Sequence, residues 1–319
     1  MALDWSNTLY IADSFNHRVQ KYLRDASFSE TVAGQETGLS GTNSSFLSAP
    51  RYLAMETNGD IYVSDTNNHR VQLWTSGSTT GVTVAGTGKS TLDISPSTVI
   101  ALIGFVIGHD LQNIFVFFFI NIFVGVAGNA SNQLYSPYGV AHDPISSALY
   151  IVDYSNYRVM RYSSNAAFGT VVAGGNGQGR NNTQLYSVIG IHLDVISNSL
   201  LIATYLGNNI VRWTLGASNW EIVAGHYNGT VGNTATSLQW PTYVTLDPMG
   251  NCYVADYNNH RIQFFPVGER NGTTIAGITG ILGVNATLLN FPASVVLDNQ
   301  LNLYVSDRFN HRVQKFMRY

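Results

Sequence analysis

A sequence motif of twelve residues recurs six times along this chain of 319 residues. In its fullest form it is a short apolar stretch ending in Asp, then two variable residues, then Asn, His and Arg. The copies are Leu9 to Gln20, Ile61 to Gln72, Leu149 to Met160, Leu200 to Val211, Cys252 to Gln263 and Leu303 to Gln314. A regular repeat is typical of units that stack on one another, so it overrides the prior of about 150 residues per domain.

The spacing of the copies predicts the architecture. Counted on the Asp position, the steps are 52, 88, 51, 52 and 51 residues. Four alternating apolar stretches surround each copy, and in the fifth unit they are Tyr243 to Leu246, Cys252 to Ala255, Arg261 to Phe265 and Thr273 to Ala276. Period-two runs of β-branched and aromatic residues predict strands. Six such units predict an all-β fold, one six-bladed β-propeller of four-stranded antiparallel blades over residues 1–319.

The repeated motif resembles the NHL repeat, and the resemblance implies the same six-bladed propeller. It covers the chain apart from residues 89–124. The third copy has Tyr157 in place of His, and the fourth departs most, with Thr204, Gly207, Asn208 and Asn209 at the motif positions. The matching residues are Asp13, Asn16, His17, Arg18, Asp65, Asn68, His69, Arg70, Asp153, Asn156, Arg158, Asp256, Asn259, His260, Arg261, Asp307, Asn310, His311 and Arg312.

These motif residues are interpreted as scaffold. Asp, His and Arg in close spacing could suggest catalysis, but a catalytic group is needed once and this set recurs in almost every unit. We expect Asp to bond the backbone N–H groups of its own turn and Asn to occupy a left-handed turn position. Arg is expected to pair with acidic groups of its own or the adjacent blade. No catalytic residue and no cofactor is predicted.

Extra sequence between Gly88 and Gly125 accounts for the step of 88 residues. Its apolar runs are shorter than the roughly 20 residues of a spanning helix, so no membrane span is expected. Codons for the two ends permit a splice donor and a T-rich acceptor. Removing 37 residues and fusing the two Gly codons restores a step of 88 − 37 = 51. The sequence favours a retained intron at 89–124, and an irregular loop is the alternative.

The ends of the chain predict an incomplete last blade. The sequence starts inside a first strand at Ala2 and ends at Tyr319, with no counterpart in the sixth unit of Thr31 to Gly34. We expect either a three-stranded blade or a fragment of a longer protein. The N-terminal residues contain no apolar signal-peptide core.

Composition narrows the partners. The net charge is −3, and only three lysines occur, which disfavours RNA. The single cysteine, Cys252, allows no disulfide within the chain. Glycosylation sequons in the connections between blades favour an extracellular setting. These candidates are Asn43, Asn129, Asn181, Asn228 and Asn285.

An enzyme remains an alternative, because propellers of this type resemble a peptidyl-hydroxyglycine lyase domain that holds zinc with histidines near its axis. Outside the motif and the insert, the histidines are His142, His192 and His226. Strand alternation turns His142 and His192 to opposite faces, so we predict no metal site. A lactonase-like hydrolase is a further alternative of the same class.

The two residues after each Asp position vary between units, and five of the six units place an aromatic there. The turn that holds them opens on the same face as the connections between blades. Aromatic side chains and Arg are typical anchors of protein interfaces. The candidate binding surface is Phe15, Tyr154, Tyr205, Tyr257, Arg308 and Phe309.

The sequence therefore predicts a non-catalytic, monomeric propeller that binds a protein or peptide, with a glycan as second choice. Resemblance to the family also implies a possible role as the substrate-recruiting module of a RING-type ubiquitin ligase. The zinc-finger cysteines that a RING domain needs do not occur in this sequence.

Overall fold

The computed structural model describes residues 1–86 and 126–318. In that part of the chain, 23 strands form six antiparallel sheets in which each strand pairs with its neighbours in sequence. Consecutive sheets contact one another through their first strands, and the first sheet contacts the sixth. The molecule is thus the predicted six-bladed β-propeller, whose innermost strands surround a central axis.

The first three blades contain strands β1 to β12. Blade 1 consists of β1 (Ala2–Leu3), β2 (Leu9–Asp13), β3 (Arg18–Tyr22) and β4 (Glu30–Gly34). Blade 2 consists of β5 (Pro50–Met55), β6 (Ile61–Asp65), β7 (Arg70–Trp74) and β8 (Val82–Ala85). Blade 3 consists of β9 (Pro137–His142), β10 (Leu149–Asp153), β11 (Arg158–Tyr162) and β12 (Thr170–Gly174).

The last three blades contain strands β13 to β23. Blade 4 consists of β13 (Val188–Asp194), β14 (Ser199–Thr204), β15 (Asn209–Thr214) and β16 (Glu221–Gly225). Blade 5 consists of β17 (Pro241–Leu246), β18 (Cys252–Asp256), β19 (Arg261–Phe265) and β20 (Thr273–Gly277). Blade 6 consists of β21 (Pro292–Leu297), β22 (Leu303–Asp307) and β23 (Arg312–Phe316).

The core lies between the blades, because a single four-stranded sheet buries neither face alone. Five second strands carry a fully buried aliphatic residue at their centre. They are Val63, Ile151, Ile202, Val254 and Val305. Each apolar cluster joins two adjacent blades; one contains Val19 and Ala33 of blade 1 together with Leu53 and Trp74 of blade 2. Stacking around the ring therefore provides most of the apolar burial that stabilises each blade.

A tight turn joins the second and third strands of each blade. In five blades it is a one-turn 3-10 helix followed by a left-handed residue with φ between 52 and 55°. These turns are Ser14–Asn16, Thr66–Asn68, Tyr154–Asn156, Tyr257–Asn259 and Arg308–Asn310. The left-handed residue is the motif His or Tyr157, whereas the sequence predicted Asn there. Asn lies inside the turn because its amide donates to the motif Asp, as Asn259 does to Asp256 at 2.8 Å.

The motif Asp and Arg bind the connection that precedes their own blade. In blade 5, Asp256 accepts a hydrogen bond from Arg261 at 2.8 Å and one from the backbone N–H of Gln239 at 2.7 Å. Arg261 also donates to the carbonyls of Thr234 and Ser237. The expected pairing of Arg with the Asp of its own blade is confirmed. The expectation that Asp bonds its own turn is wrong, because the connection supplies the N–H group.

The motif His binds the connection that follows its blade. Its Nδ1 accepts a hydrogen bond from a backbone N–H just before or at the start of the next blade. This N–H belongs to Ala49 for His17 and to Phe291 for His260, at 3.0 and 3.2 Å. In blades 2 and 5, where a complete motif lies between two connections, it thus holds both of them.

Ring closure joins blade 6 to blade 1 without a fourth strand in blade 6. The expected three-stranded blade is confirmed. The turn after β1 contacts the equivalent turn of blade 6, where Asn299 Nδ2 donates to the carbonyl of Trp5 at 2.8 Å. At the perimeter of the ring, β23 has no strand beside its outer edge among the described residues.

The predicted insert 89–124 lies outside the described residues, but its flanks do not. Gly86 has φ +78°, and a Cβ there would lie 2.3 Å from the carbonyl oxygen of His69; Gly174 has the equivalent place beside Tyr157. The backbone N–H of Gly128 donates to the carbonyl of Leu134, as that of Gly179 does to Leu185. From Gly86 to Gly128 is 42 residues, and from Gly174 to Gly179 is 5. Both ends of the connection therefore have the usual propeller geometry.

Candidate functional site

The variable residues that follow each motif Asp lie on one face of the ring. Because strands alternate in direction, the turns after the second strands and the connections between blades emerge on the same side, called here the upper face. A cavity of about 1110 Å³ opens there. Its wall is formed by those turns and by the beginnings of the first strands. The cavity also extends between blades 1 and 6, where residues of β2, β3, β22 and β23 and the turn 23–26 line it. This cavity, called the funnel below, surrounds the axis of the propeller.

The six residues predicted for the binding surface all line the funnel. Their exposure differs: Phe15 is 79% exposed and Phe309 52%, whereas Tyr257 is only 7% exposed. Tyr154 and Tyr205 are half-buried. The structure therefore brings the predicted set together, but it places Tyr257 beneath its neighbours instead of at the surface.

Tyr257 is covered because it lies in a continuous aromatic wall. Its ring centre is 6.3 Å from that of Tyr205 and 4.9 Å from that of Phe291. The wall continues from Phe291 to Phe309 at 5.1 Å and from Tyr205 to Trp240 at 5.6 Å. Edge-to-face and tilted contacts at these distances add to the burial of the rings. Blades 4 to 6 thus present one rigid aromatic surface.

Blade 3 adds a second aromatic pair to the wall. The rings of Tyr138 and Tyr154 lie 4.5 Å apart. In blades 1 and 2 the residue at the Tyr154 position is small, and Ser14 and Thr66 each donate a hydrogen bond to the carbonyl of the proline that begins the next blade. The funnel is therefore asymmetric, because blades 3 to 6 contribute rings in contact with one another, whereas blade 1 contributes only the exposed Phe15 and the turn of blade 2 has no ring.

The floor of the funnel is closed by Tyr52, which reaches across the axis. Its hydroxyl donates to the carbonyl of Thr242 at 3.0 Å, so blade 2 contacts blade 5 on the opposite side of the ring. Its ring stacks on Tyr243 with centres 5.7 Å apart. Burial raises the pKa of Tyr52 well above its usual value, so its hydroxyl stays protonated.

Sequence reasoning missed Arg51 and Tyr138, which occupy equivalent positions just after the proline that begins the first strand. Both line the funnel, and the guanidinium carbon of Arg51 lies 5.3 Å from the centre of the Tyr138 ring. A signal was present, because this position varies between units while the proline before it recurs. The other residues in this register are Ile189, Thr242 and Ala293.

Two of the three histidines considered for zinc have separate partners. His142 lies 3.5 Å from Glu56 and stacks on Tyr62, while Nδ1 of His192 is 3.4 Å from the hydroxyl of Thr245. Burial lowers the pKa of His192 to about 4. Residues 1–86 and 126–318 contain no group of three or more His, Cys, Asp or Glu that could hold a metal.

All five sequon asparagines are exposed and lie in the connections on the upper face. In three of them the side-chain oxygen accepts a hydrogen bond from the hydroxyl of the sequon Ser or Thr, as Asn228 does from Thr230 at 2.7 Å. The backbone carbonyls of Asn43, Asn129 and Asn285 accept from a motif Arg. The backbone is thus fixed while the amide side chain remains accessible.

Comparison with known proteins agrees with this architecture. Residues 47–73, 238–265 and 289–316 match the family model of the NHL repeat. Comparison with curated protein sequences gave no match. No helix among the described residues is long and apolar enough to cross a membrane.

Several solved structures share the fold. An auxiliary nutrient binding protein from Bacteroides thetaiotaomicron is 18% identical with a TM-score of 0.66, and the match covers 98% of this chain and 67% of that one. A chain of a nidogen/laminin complex is 14% identical with a TM-score of 0.56, covering 86% and 77%. A streptogramin B lyase is 10% identical with a TM-score of 0.53, covering 98% and 80%. At these identities the likeness concerns the fold alone.

The ring of six sheets with a funnel on one face defines a six-bladed β-propeller. Blades 2, 5 and 6 contain the three segments that match the NHL repeat. The chain is therefore a six-bladed β-propeller that contains NHL repeats.

Proposed function

We propose that this propeller is a non-catalytic binding module that takes a segment of a protein or peptide into the funnel. The observation that carries the proposal is the convergence of the variable aromatic and arginine residues of five blades on one cavity. Rigid aromatic rings contribute large contact areas at a small entropic cost, which suits a peptide groove. The cavity is large enough to bury several side chains.

Two features support binding over catalysis. The polar motif residues Asp, Asn, His and Arg are used to hold the connections, so they are not free to react. The funnel wall contains aromatic rings, hydroxyls and charged side chains, and no His or carboxylate among the described lining residues is hydrogen-bonded to a lining hydroxyl that could act as a nucleophile. The likeness to a streptogramin B lyase concerns the fold and assigns no reaction to this chain.

Selection of peptides from a displayed random library on the full chain tests the proposal. We expect selected peptides to bind with Kd values near the micromolar range. Tyr154→Ala and Tyr205→Ala should each weaken binding about 5- to 30-fold, the range of a moderate interface anchor. The matched control is Ile196→Ala, because Ile196 is 92% exposed in a turn on the opposite face.

Isothermal titration of each variant with the same peptide gives the result. Loss of binding in both tyrosine variants and none in the control supports the funnel. Binding that both tyrosine variants retain, or that Ile196→Ala removes, would reject it.

A further inference from the structure

The funnel has more positively charged side chains than carboxylates to pair with them. Five arginine or lysine side chains line it, and three of these have a carboxylate partner. Arg24 pairs with Asp25, Arg312 with Asp307 and Lys315 with Asp298. Arg51 and Arg308 have no carboxylate partner in the described parts of the chain.

The carboxylates that line the funnel are already engaged. Asp13 accepts from Arg18 at 3.2 Å, and Asp25 lies 3.5 Å from Arg24. The funnel therefore has two uncompensated positive charges, although the whole chain has a net charge of −3. Such a local excess is costly unless a ligand or solvent balances it.

Arg51 is held in place by a ring and lacks an acceptor. Its Nε is buried and has no hydrogen-bond partner among the described residues. Stacking of the guanidinium over Tyr138 leaves its N–H groups directed outward in the guanidinium plane. A buried donor without an acceptor is rare in folded proteins, and no described protein group therefore competes with a ligand for the outer N–H groups of Arg51.

Arg308 is oriented by the aromatic wall. Its Nη1 donates to the hydroxyl of Tyr257 at 3.1 Å, and its guanidinium carbon lies 5.4 Å from the centre of the Phe309 ring. The buried Tyr257 thus holds Arg308 in place through its hydroxyl. Blade 1 separates Arg308 of blade 6 from Arg51 of blade 2 around the ring.

Both guanidinium groups act on the same part of the funnel. Burial raises the pKa of Tyr52, and Arg51 and Arg308 both oppose that rise. Their positive charges are therefore felt at the hydroxyl that closes the floor. The space above blade 1, where Ser14 is small and Phe15 is exposed, lies between them.

We propose that the funnel recognises a carboxylate of the bound peptide, held by Arg51 and Arg308, with its apolar neighbours against the aromatic wall. This inference rests on the proposed function and specifies its ligand. The planar fork of an arginine matches a carboxylate in two parallel hydrogen bonds. With two arginines and no unpaired lysine at this point, the site suits a single delocalised charge rather than a nucleic-acid backbone.

The test uses pools of random hexapeptides captured on the immobilised full chain. The first pool has a fixed central Asp and an amidated C-terminus, and the second has Asn in its place. The third has central Asn and a free C-terminal carboxylate, which separates the two sources of the charge. A uridine decanucleotide is the fourth probe.

Retention of the first or the third pool at least about tenfold above the second supports the proposal, since a charge-assisted hydrogen bond discriminates on that scale. Arg51→Gln or Arg308→Gln should reduce the preference to below about twofold. Arg270→Gln is the matched control, because Arg270 is exposed in a turn on the opposite face. Thermal unfolding checks that each variant is folded.

The outcomes separate the two proposals. Equal retention of the Asp and Asn pools, abolished by Tyr205→Ala, would leave peptide binding in place and reject the carboxylate site. A preference that survives both arginine variants, or stronger capture of the oligonucleotide, would also reject it. If no pool depends on Tyr154 or Tyr205, the proposed function itself fails.

Discussion

Blades 4 and 5 have the same strand order but hold the preceding connection in different ways. In blade 5, Asp256 and Arg261 are a buried pair at 2.8 Å, with side chains 0 and 3% exposed. In blade 4 the same positions are Thr204 and Asn209, and the hydroxyl of Thr204 donates to the carbonyl of Asn209 at 3.1 Å. The strand register is unchanged, since Asp256 pairs with Arg261 as Thr204 does with Asn209.

This difference shows that the ion pair holds the connection in place and is not needed for the pairing of the strands. Arg261 donates to three backbone carbonyls of the connection before blade 5. The connection before blade 4 is instead held by Arg180, which belongs to that connection itself. Arg180 donates to the carbonyls of Leu206 and Asn228. Trp220 adds a hydrogen bond to the carbonyl of Gln184 at 2.8 Å. A blade can lose the motif where other donors reach the same loop.

The largest expected effect comes from breaking the blade 5 pair. Asp256→Ala leaves Arg261 buried without its carboxylate, which should lower the free energy of unfolding by about 3–5 kcal/mol. The matched change in blade 4, Thr204→Ala, removes neutral hydrogen bonds and should cost about 1 kcal/mol. Chemical denaturation of both variants measures the difference. Equal losses would show that the two blades depend on these positions alike.

The second prediction extends the comparison to the connections after blades 2 and 3. We propose that residues 89–125 are no part of the ring, since their removal makes Gly86 to Gly128 as long as Gly174 to Gly179, 42 − 37 = 5 residues. Each doubling of a loop costs about 0.6 kcal/mol, so the shortened chain should be more stable by roughly 1–2 kcal/mol.

Denaturation of the shortened chain, with circular dichroism to verify the β-sheet, measures this gain. A shortened chain that loses its sheet signal, or that is less stable, would contradict the proposal. Sequencing of full-length transcripts is the independent check, because messages that all contain these codons would exclude a retained intron.

The smallest expected effect concerns the motif His, for which Asn208 is the natural substitute in blade 4. Asn208 Oδ1 accepts from the N–H of Trp240 at 3.1 Å, as Nδ1 of His260 does from Phe291. His260→Gln should therefore cost about 1 kcal/mol at neutral pH. Burial lowers the pKa of His260, so only the histidine makes this bond sensitive to pH.

The direction of the pH dependence of stability follows from the lowered pKa of His260. The stabilisation by neutral His260 is complete above its unfolded pKa of about 6.5 and is lost as the pH falls through the folded value. The gap in unfolding free energy between the wild type and His260→Gln should accordingly narrow below pH 6.5. His226→Gln is the control, because its ring makes no hydrogen bond within the described residues. A gap that stays constant down to pH 5 would argue against the Nδ1 contact.

Much of the fold could be predicted because its causes are local. Alternating apolar residues defined the strands of blade 5 to within two residues, and the repeated motif gave the number of blades. The roles inside the motif could not be predicted, since they depend on the connection that each carboxylate meets. The left-handed His is an example: Asn259 is drawn into the turn by Asp256, and the next residue takes the positive φ.

The funnel was predicted in part. Phe15, Tyr154, Tyr205 and Phe309 could be selected because turn residues after a fixed motif must lie on one face. The cover over Tyr257 and the position of Arg51 depend on contacts between blades that are far apart in sequence. Closure of the floor by Tyr52 and Thr242, 190 residues apart, is of the same kind. Periodicity predicts the position of a residue on its blade, whereas its contacts depend on how the blades are arranged around the ring.

The motif residues stabilise the propeller, and we propose that the variable residues of the funnel bind the ligand. The direct test measures unfolding free energy and peptide binding on two variants, Asp256→Ala and Tyr205→Ala. The account predicts that Asp256→Ala loses about 3–5 kcal/mol of stability. It predicts that Tyr205→Ala loses less than about 1.5 kcal/mol and most of its peptide affinity. A Tyr205→Ala protein that is as unstable as Asp256→Ala and binds peptide normally would contradict it, because the rings would then only cover the strand ends.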